Sequence, residues 1–149
     1  MRDFKTIAFA TDFSDCSEAA FDYAYSLAKK CDAKLLLVHV INEPVDLRGF
    51  YVPHISYDVL EDEISEGANK MMDSFCRKNI QEGDNYAVAI VSGLDYEEII
   101  NQSTLANADL IVMGTSGRSG LDHMLFGSTA EKVVRKSPIP VLTVSSGKS

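Results

Sequence analysis

The residues of this chain best suited to chemistry form one run, Gly114-Thr-Ser-Gly117-Arg-Ser-Gly120-Leu-Asp-His-Met-Leu-Phe-Gly127-Ser128-Thr129, which follows the apolar stretch Leu110 to Met113. Gly114 and Gly117 carry no Cβ to hold a ligand off the main chain, and either tolerates the positive φ of a tight turn. Gly127 and Ser128 open a helical stretch whose first N–H groups lack internal partners and carry partial positive charge. Loop and helix start together suit a polyphosphate, with Arg118 or the hydroxyls of Thr115, Ser116, Ser119, Ser128 and Thr129 adding contacts. The same residues also fit a purely structural role, because Ser128 and Glu131 have the S-x-x-E spacing of a capping box and glycines end many strands that bind nothing. On chemistry alone both readings stay open.

Other motifs fall away. Gly147-Lys148-Ser149 has Leu142 where a P-loop needs its first glycine. Gly114 to Gly120 lacks the spacing of the dinucleotide fingerprint and is not on the first strand-to-helix turn. His39, His54 and His123 show no metal-ligand spacing, so no metal site is expected within the protein. No residue is assigned as catalytic, since His123 falls in the loop without a recognisable partner to orient it.

At 149 residues, 46% of them hydrophobic, the chain suits one domain spanning residues 1–149. Cys16, Cys31 and Cys76 are odd in number and lack CxxC spacing, which argues for buried, reduced thiols over a disulfide framework. With 14 Lys and Arg against 22 Asp and Glu, the net charge of −8 disfavours nucleic acid. No apolar run suits a bilayer span and Met1 to Lys5 opens charged, so a soluble, unexported, cytoplasmic protein is expected, without a membrane partner.

The elements that must position the glycine run follow from apolar patterning. Thr6 to Ala10, Lys34 to Ile41, Tyr86 to Val91, Leu110 to Met113 and Pro140 to Val144 read as strands, mostly continuously apolar and hence covered on both faces. After capping-type Ser14 and Asp15, a helix is expected with Ala20, Tyr23, Ala24, Leu27 and Ala28 on its buried stripe. Leu60, Ile64, Ala68, Met71, Met72 and Phe75 mark a second helix. A third runs from about Asp95 to Ala106 and a fourth from Ser128 to Lys136. The alternation predicts an α/β, doubly wound parallel sheet with helices on both faces. Asn42 to Tyr57, with Pro44, Gly49 and Pro53, is the one irregular stretch, either functional or a plain excursion.

The spacing Gly114-x2-Gly117-x9-Gly127-Ser128 resembles the nucleotide-binding motif of the universal stress protein family, in its ATP-binding branch. Ile7-Ala-Phe-Ala-Thr-Asp-Phe-Ser14, Leu37-Val-His-Val-Ile41 and Pro138-Ile-Pro-Val-Leu-Thr-Val144 extend the likeness over nearly the whole chain. The resemblance implies a Rossmann-like five-stranded sheet of order 3-2-1-4-5, in which the first and fourth strands flank a ligand crevice. It implies that Ala10, Thr11 and Asp12 line the adenine and ribose side, with Asp12 accepting from ribose hydroxyls; taken alone, Asp12 equally suits an Asx turn or a cap for the first helix. Val40 would meet adenine through its backbone, and Met113 and Gly114 would border the ribose. Gly117 to Gly120 and Ser128 to Ala130 would hold the phosphates of ATP or AMP, with Mg2+ or Mn2+ carried on them, and Thr115, Ser116 and Gly127 would also belong to the nucleotide site. Ala10 departs from the proline often found there, a change that bears on affinity.

The implied function is nucleotide-regulated stress response or signalling by a homodimer paired through Pro140 to Val144. A slow ATP hydrolase and a nucleotide-free dimeric interaction module are the alternatives, and the intact glycines speak against the latter. A receiver domain is disfavoured, because Thr11-Asp12 supplies one acid where that class needs two and Ser92-Gly93 stands where it needs an acceptor aspartate.

Overall fold

The computed structural model describes residues 1–42, 54–116 and 126–146, and of residues 54–61 the helical backbone only. Strands β1 (Thr6–Ala10), β2 (Lys34–Asn42), β3 (Tyr86–Gly93), β4 (Leu110–Gly114) and β5 (Val141–Val144) alternate with helices α1 (Asp15–Cys31), α2 (His54–Asn79), α3 (Asp95–Leu105) and α4 (Ser128–Lys136). Every strand pairing is parallel and the order is β3-β2-β1-β4-β5, the Rossmann-like topology expected from the resemblance.

Central β1 explains the two-sided core. Ile7 and Phe9 point into a cluster with α1 and α2, whereas Ala8 and Ala10 point into one with α3 and α4. On the first face Phe9, Phe21 and Phe75 form an aromatic knot, with ring centroids 5.4 Å apart for Phe9–Phe21 and 5.0 Å for Phe21–Phe75. Burying each such ring contributes roughly 1.5–3 kcal/mol. On the second face the small Ala8 and Ala10 leave room for Ile99 of α3 and Val133 of α4 to reach the sheet.

Several boundaries and stripes differ from the sequence expectation. β2, β3 and β4 each run one or two residues further, to Asn42, Gly93 and Gly114. β5 starts at Val141, since Pro140 has no N–H to donate, although its carbonyl still accepts from Ile111 N at 2.9 Å. Tyr57, placed in the irregular stretch by its prolines, is helical because α2 starts at His54, immediately after Pro53; proline opposes a helix interior, not its start. Residues 43–53 of that stretch lie outside the described residues.

On α1, Tyr23 is 56% exposed and Phe21 takes its place beside Ala20, Ala24 and Ala28, so the stripe is rotated by a residue. On α2, Ala68, Met72 and Phe75 are buried as expected, but Ile64 and Met71 are not. Cys16 and Cys76 are buried thiols, whereas Cys31 is exposed at the last position of α1.

Just before β3, Asp84 ties the α2–β3 connection to α1. It accepts from Tyr25 and Lys29 of α1 and from the N–H of Gln81 at 2.9 Å. The Lys29 hydrogen bond, then that of Tyr25, holds the Asp84 carboxyl below its ordinary 3.8, and Asp84 in turn raises Lys29 above 10.5. A carboxyl lowered in the folded state stabilises fully above 3.8 and loses that contribution as pH falls through its folded value. Asp84→Asn should therefore lower the urea midpoint at neutral pH, and its deficit against wild type should shrink as denaturation is repeated at pH below 3.8. A deficit independent of pH would assign the loss to packing.

Candidate functional site

β1 stops at Ala10, opposite Val38, while β2 continues to Asn42 beside β3. His39 to Asn42 therefore overhang the end of β1 and form one wall of a crevice. On the other side β4 ends at Gly114, opposite Val144 of β5. The resulting cavity, of about 650 Å³, has its floor at the C-terminal ends of β1 and β4, where strand order reverses.

The turn after β1 is tightly specified. Thr11 N donates to Val38 O at 2.9 Å, and its carbonyl accepts from His39 Nδ1 at 2.8 Å, which fixes the imidazole hydrogen on Nδ1. The Thr11 hydroxyl is buried against Ser17 Oγ at 2.5 Å and accepts from Phe13 N, so it serves the turn. Asp12 Oδ1 accepts from Ser14 N at 3.0 Å, closing the Asx turn that was one of its two expected roles. Ser14 then caps α1 by accepting from Ser17 N at 3.3 Å.

Phe13 pivots between these bonds with φ of 64°, a left-handed conformation costly for a bulky side chain. Its ring lies 4.6 Å from that of His39 and 6.3 Å from that of Phe75, and this packing holds the strained backbone. Nothing in the sequence marked Phe13.

The glycine run closes on itself. Thr115 N donates to Val144 O at 3.0 Å, and Gly127 N donates to Thr115 O at 2.6 Å, pinning the start of α4 beside the end of β4. Gly127 is the N-cap, so Ser128 is already inside the helix and no S-x-x-E capping box forms. Glycine has no side-chain acceptor for the first N–H groups of α4, and those groups stand at the cavity wall formed by Gly127, Ser128, Thr129 and Ala130. The Thr129 hydroxyl, expected to face an anion, instead donates to Asp95 Oδ2 at 2.5 Å.

Gly114 has a packing reason beside the one its motif suggested. Its φ is not positive, and an added Cβ would stand 2.8 Å from Cys16 Sγ and 3.1 Å from the Cys16 carbonyl. The missing Cβ lets α1 pack on β4.

Ala10, Thr11, Asp12, Val40, Met113, Gly114, Thr115 and Ser116 are thus brought to one cavity with Gly127 to Ala130. Gly117, Arg118, Ser119 and Gly120 lie outside the described residues. The structure adds His39 and Phe13 beside β1, Asp95 and Ile99 from α3, and an α2 wall of Ile64, Ala68 and Met71. The apparent misfits of the α2 stripe are explained, since Ile64 and Met71 face this cavity. Among the described residues no group of three or more His, Cys, Asp or Glu could hold a metal, and no helix is long and apolar enough to cross a membrane.

The family model described as the universal stress protein family matches residues 3–145. The chain belongs to this family. It is 34% identical to universal stress protein YxiE of Bacillus subtilis, covering 95% of this chain and 99% of that one. It is 31% identical to universal stress protein MJ0531 of Methanocaldococcus jannaschii, over 97% and 84% of the two chains. Among solved structures it is similar to protein MJ0577, with a TM-score of 0.87 and 29% identity over 99% of this chain and 100% of that one. A universal stress protein crystallised in complex with cAMP gives a TM-score of 0.65 at 25% identity, covering 96% and 98%.

Gly114→Ala should destabilise the protein by about 1–3 kcal/mol in urea denaturation, the ordinary cost of overpacking. Cys16→Ala in the same chain should recover part of that loss by removing the sulfur while leaving the backbone contact. No recovery would show that the close approach of α1 is not what Gly114 permits.

Proposed function

We propose that this universal stress protein binds an adenine nucleotide in the β1–β4 crevice, and that occupancy regulates a homodimer in stress response or signalling. The observation that carries this reading is the start of α4, where Gly127 supplies no side-chain cap and the first N–H groups meet a cavity of about 650 Å³. Volumes of roughly 300–1,000 Å³ are usual for small-molecule sites. A helix N-terminus is a natural phosphate seat. The base would lie toward Val40 and the apolar Ile64, Ala68 and Met71, with the ribose near Asp12 and Met113. The complex of a relative with cAMP supports an adenine nucleotide as the ligand class. ATP, with a divalent cation on its phosphates, and AMP both suit such a site.

Two experiments test the site. Nucleotide released on denaturing the purified protein should be identified by mass spectrometry as an adenine nucleotide, and the stripped protein should bind ATP or AMP in calorimetry. Ser128→Asp separates ligand from fold: a carboxylate in the first turn of α4 should hold or raise thermal stability by about 0.3–1 kcal/mol through the helix dipole. It should also weaken nucleotide affinity by tenfold or more through repulsion of the phosphates, on the order of one charge pair at partly screened distance. Undiminished affinity would move the phosphates elsewhere.

The homodimer would pair β5 with its twofold mate. β5 is an edge strand whose Val141, Leu142 and Thr143 are only half-buried, and an apolar edge invites a strand from a second copy. Analytical ultracentrifugation should show a dimer that Leu142→Lys dissociates. A wild-type monomer at all concentrations would sink this assembly.

A further inference from the structure

Asp95, the first residue of α3, has no place in the motif that marks the site, yet it lines the cavity. Its carboxylate is fixed from two directions: Oδ1 accepts from Tyr96 N at 2.7 Å and Oδ2 from the Thr129 hydroxyl at 2.5 Å. Thr129 is the second residue of α4, so a formal negative charge is held beside the helix start that would seat phosphate. Both donors are neutral. The ion pairs among the described residues are Lys29–Asp84, Arg77–Asp73 and Arg135–Glu131, and none reaches Asp95. The described walls of the cavity carry the carboxylates of Asp12 and Asp95 and no lysine or arginine. A bare polyphosphate entering this end gains helix N–H groups but meets a fixed charge of its own sign.

Resting on the nucleotide-site reading above, we propose that Asp95 is a specificity-determining charge filter. Its carboxylate disfavours each uncompensated phosphate charge, so ATP binds well only with a divalent cation on its phosphates, whereas AMP, with fewer charges, binds without one. The cation stays on the ligand and needs no protein cage. Asp95 is a positioning and selecting group; it takes no proton and forms no bond.

The test is calorimetric titration of stripped protein with ATP and with AMP, each in excess magnesium and in EDTA. Wild type should bind ATP on the order of tenfold more weakly in EDTA than in magnesium, the size expected of a like-charge contact at an effective dielectric well above that of a dry interior, and AMP nearly equally in both. Asp95→Asn removes the charge and keeps one oxygen, which can accept from Thr129 or from Tyr96 N but not from both, so its ATP affinity in EDTA should rise toward the magnesium value at a modest cost in thermal stability. Asp95→Glu keeps the charge and should keep the cation dependence. A magnesium-to-EDTA ratio in Asp95→Asn equal to that of wild type would overturn the filter while leaving the nucleotide site intact. Equal loss of that ratio in Asp95→Glu would overturn it too, by showing that shape and not charge is read. No binding of either nucleotide by wild type would overturn both the filter and the site.

Discussion

Right-handed crossovers between parallel strands oblige the chain to put helices on one face while it winds outward and on the other when it returns. Here α1 and α2 cover one face as β1 leads to β2 and β3, and α3 and α4 cover the other as the chain passes back to β4 and β5. The connections from β1 and β4 therefore leave in opposite directions, and among the described residues they leave a gap between them at that sheet end. The cavity, the overhang of β2 beyond Ala10 and the position of α4 all depend on that divergence.

Close packing around the gap sets its detail. α1 can approach β4 only because Gly114 has no Cβ, and this approach brings Cys16 Sγ within 3.5 Å of the Val144 carbonyl. The chain reaches α1 through a turn so short that Phe13 adopts φ of 64°, held by its contacts with His39 and Phe75. Strain at the mouth of the cavity is thus balanced by the aromatic core beneath it. The same residues that fix the fold on one side form the wall on the other.

Much of this was legible in the sequence. The strands were, because continuous apolar runs of strand length have few alternatives, and the order of the sheet followed from the likeness carried by the glycine run and its companion segments. That residues at the ends of β1 and β4 and the start of α4 meet at one cavity was legible for the same reason. His39, Ile64, Met71 and Asp95 were not, since each becomes a wall residue only through register or helix rotation: His39 because β2 outruns β1, Ile64 and Met71 because α2 turns that side to the crevice. Reading Ser128 and Glu131 as a capping box failed by a single residue, because Gly127 took the cap. Gly114 gained a second reason in the fold, the approach of Cys16 from α1. A glycine says that something comes close, and only the fold says from which side.

The charge balance of the site bears on which nucleotide it favours. The protein is net negative, at −8, and the described walls of its cavity hold carboxylates, so among the described residues attraction for an anion there comes from oriented N–H groups of α4. Such partial charges act over the first turn of a helix and weaken beyond it, whereas the field of a fixed carboxylate is screened but not confined in that way. A single phosphate seated at the first turn feels mainly the dipoles. Each further phosphate extends outward, gains less from them and still adds its charge to a negative surface. Discrimination among nucleotides of one base then follows from how many charges they bring, which the shape of an adenosine pocket alone cannot supply.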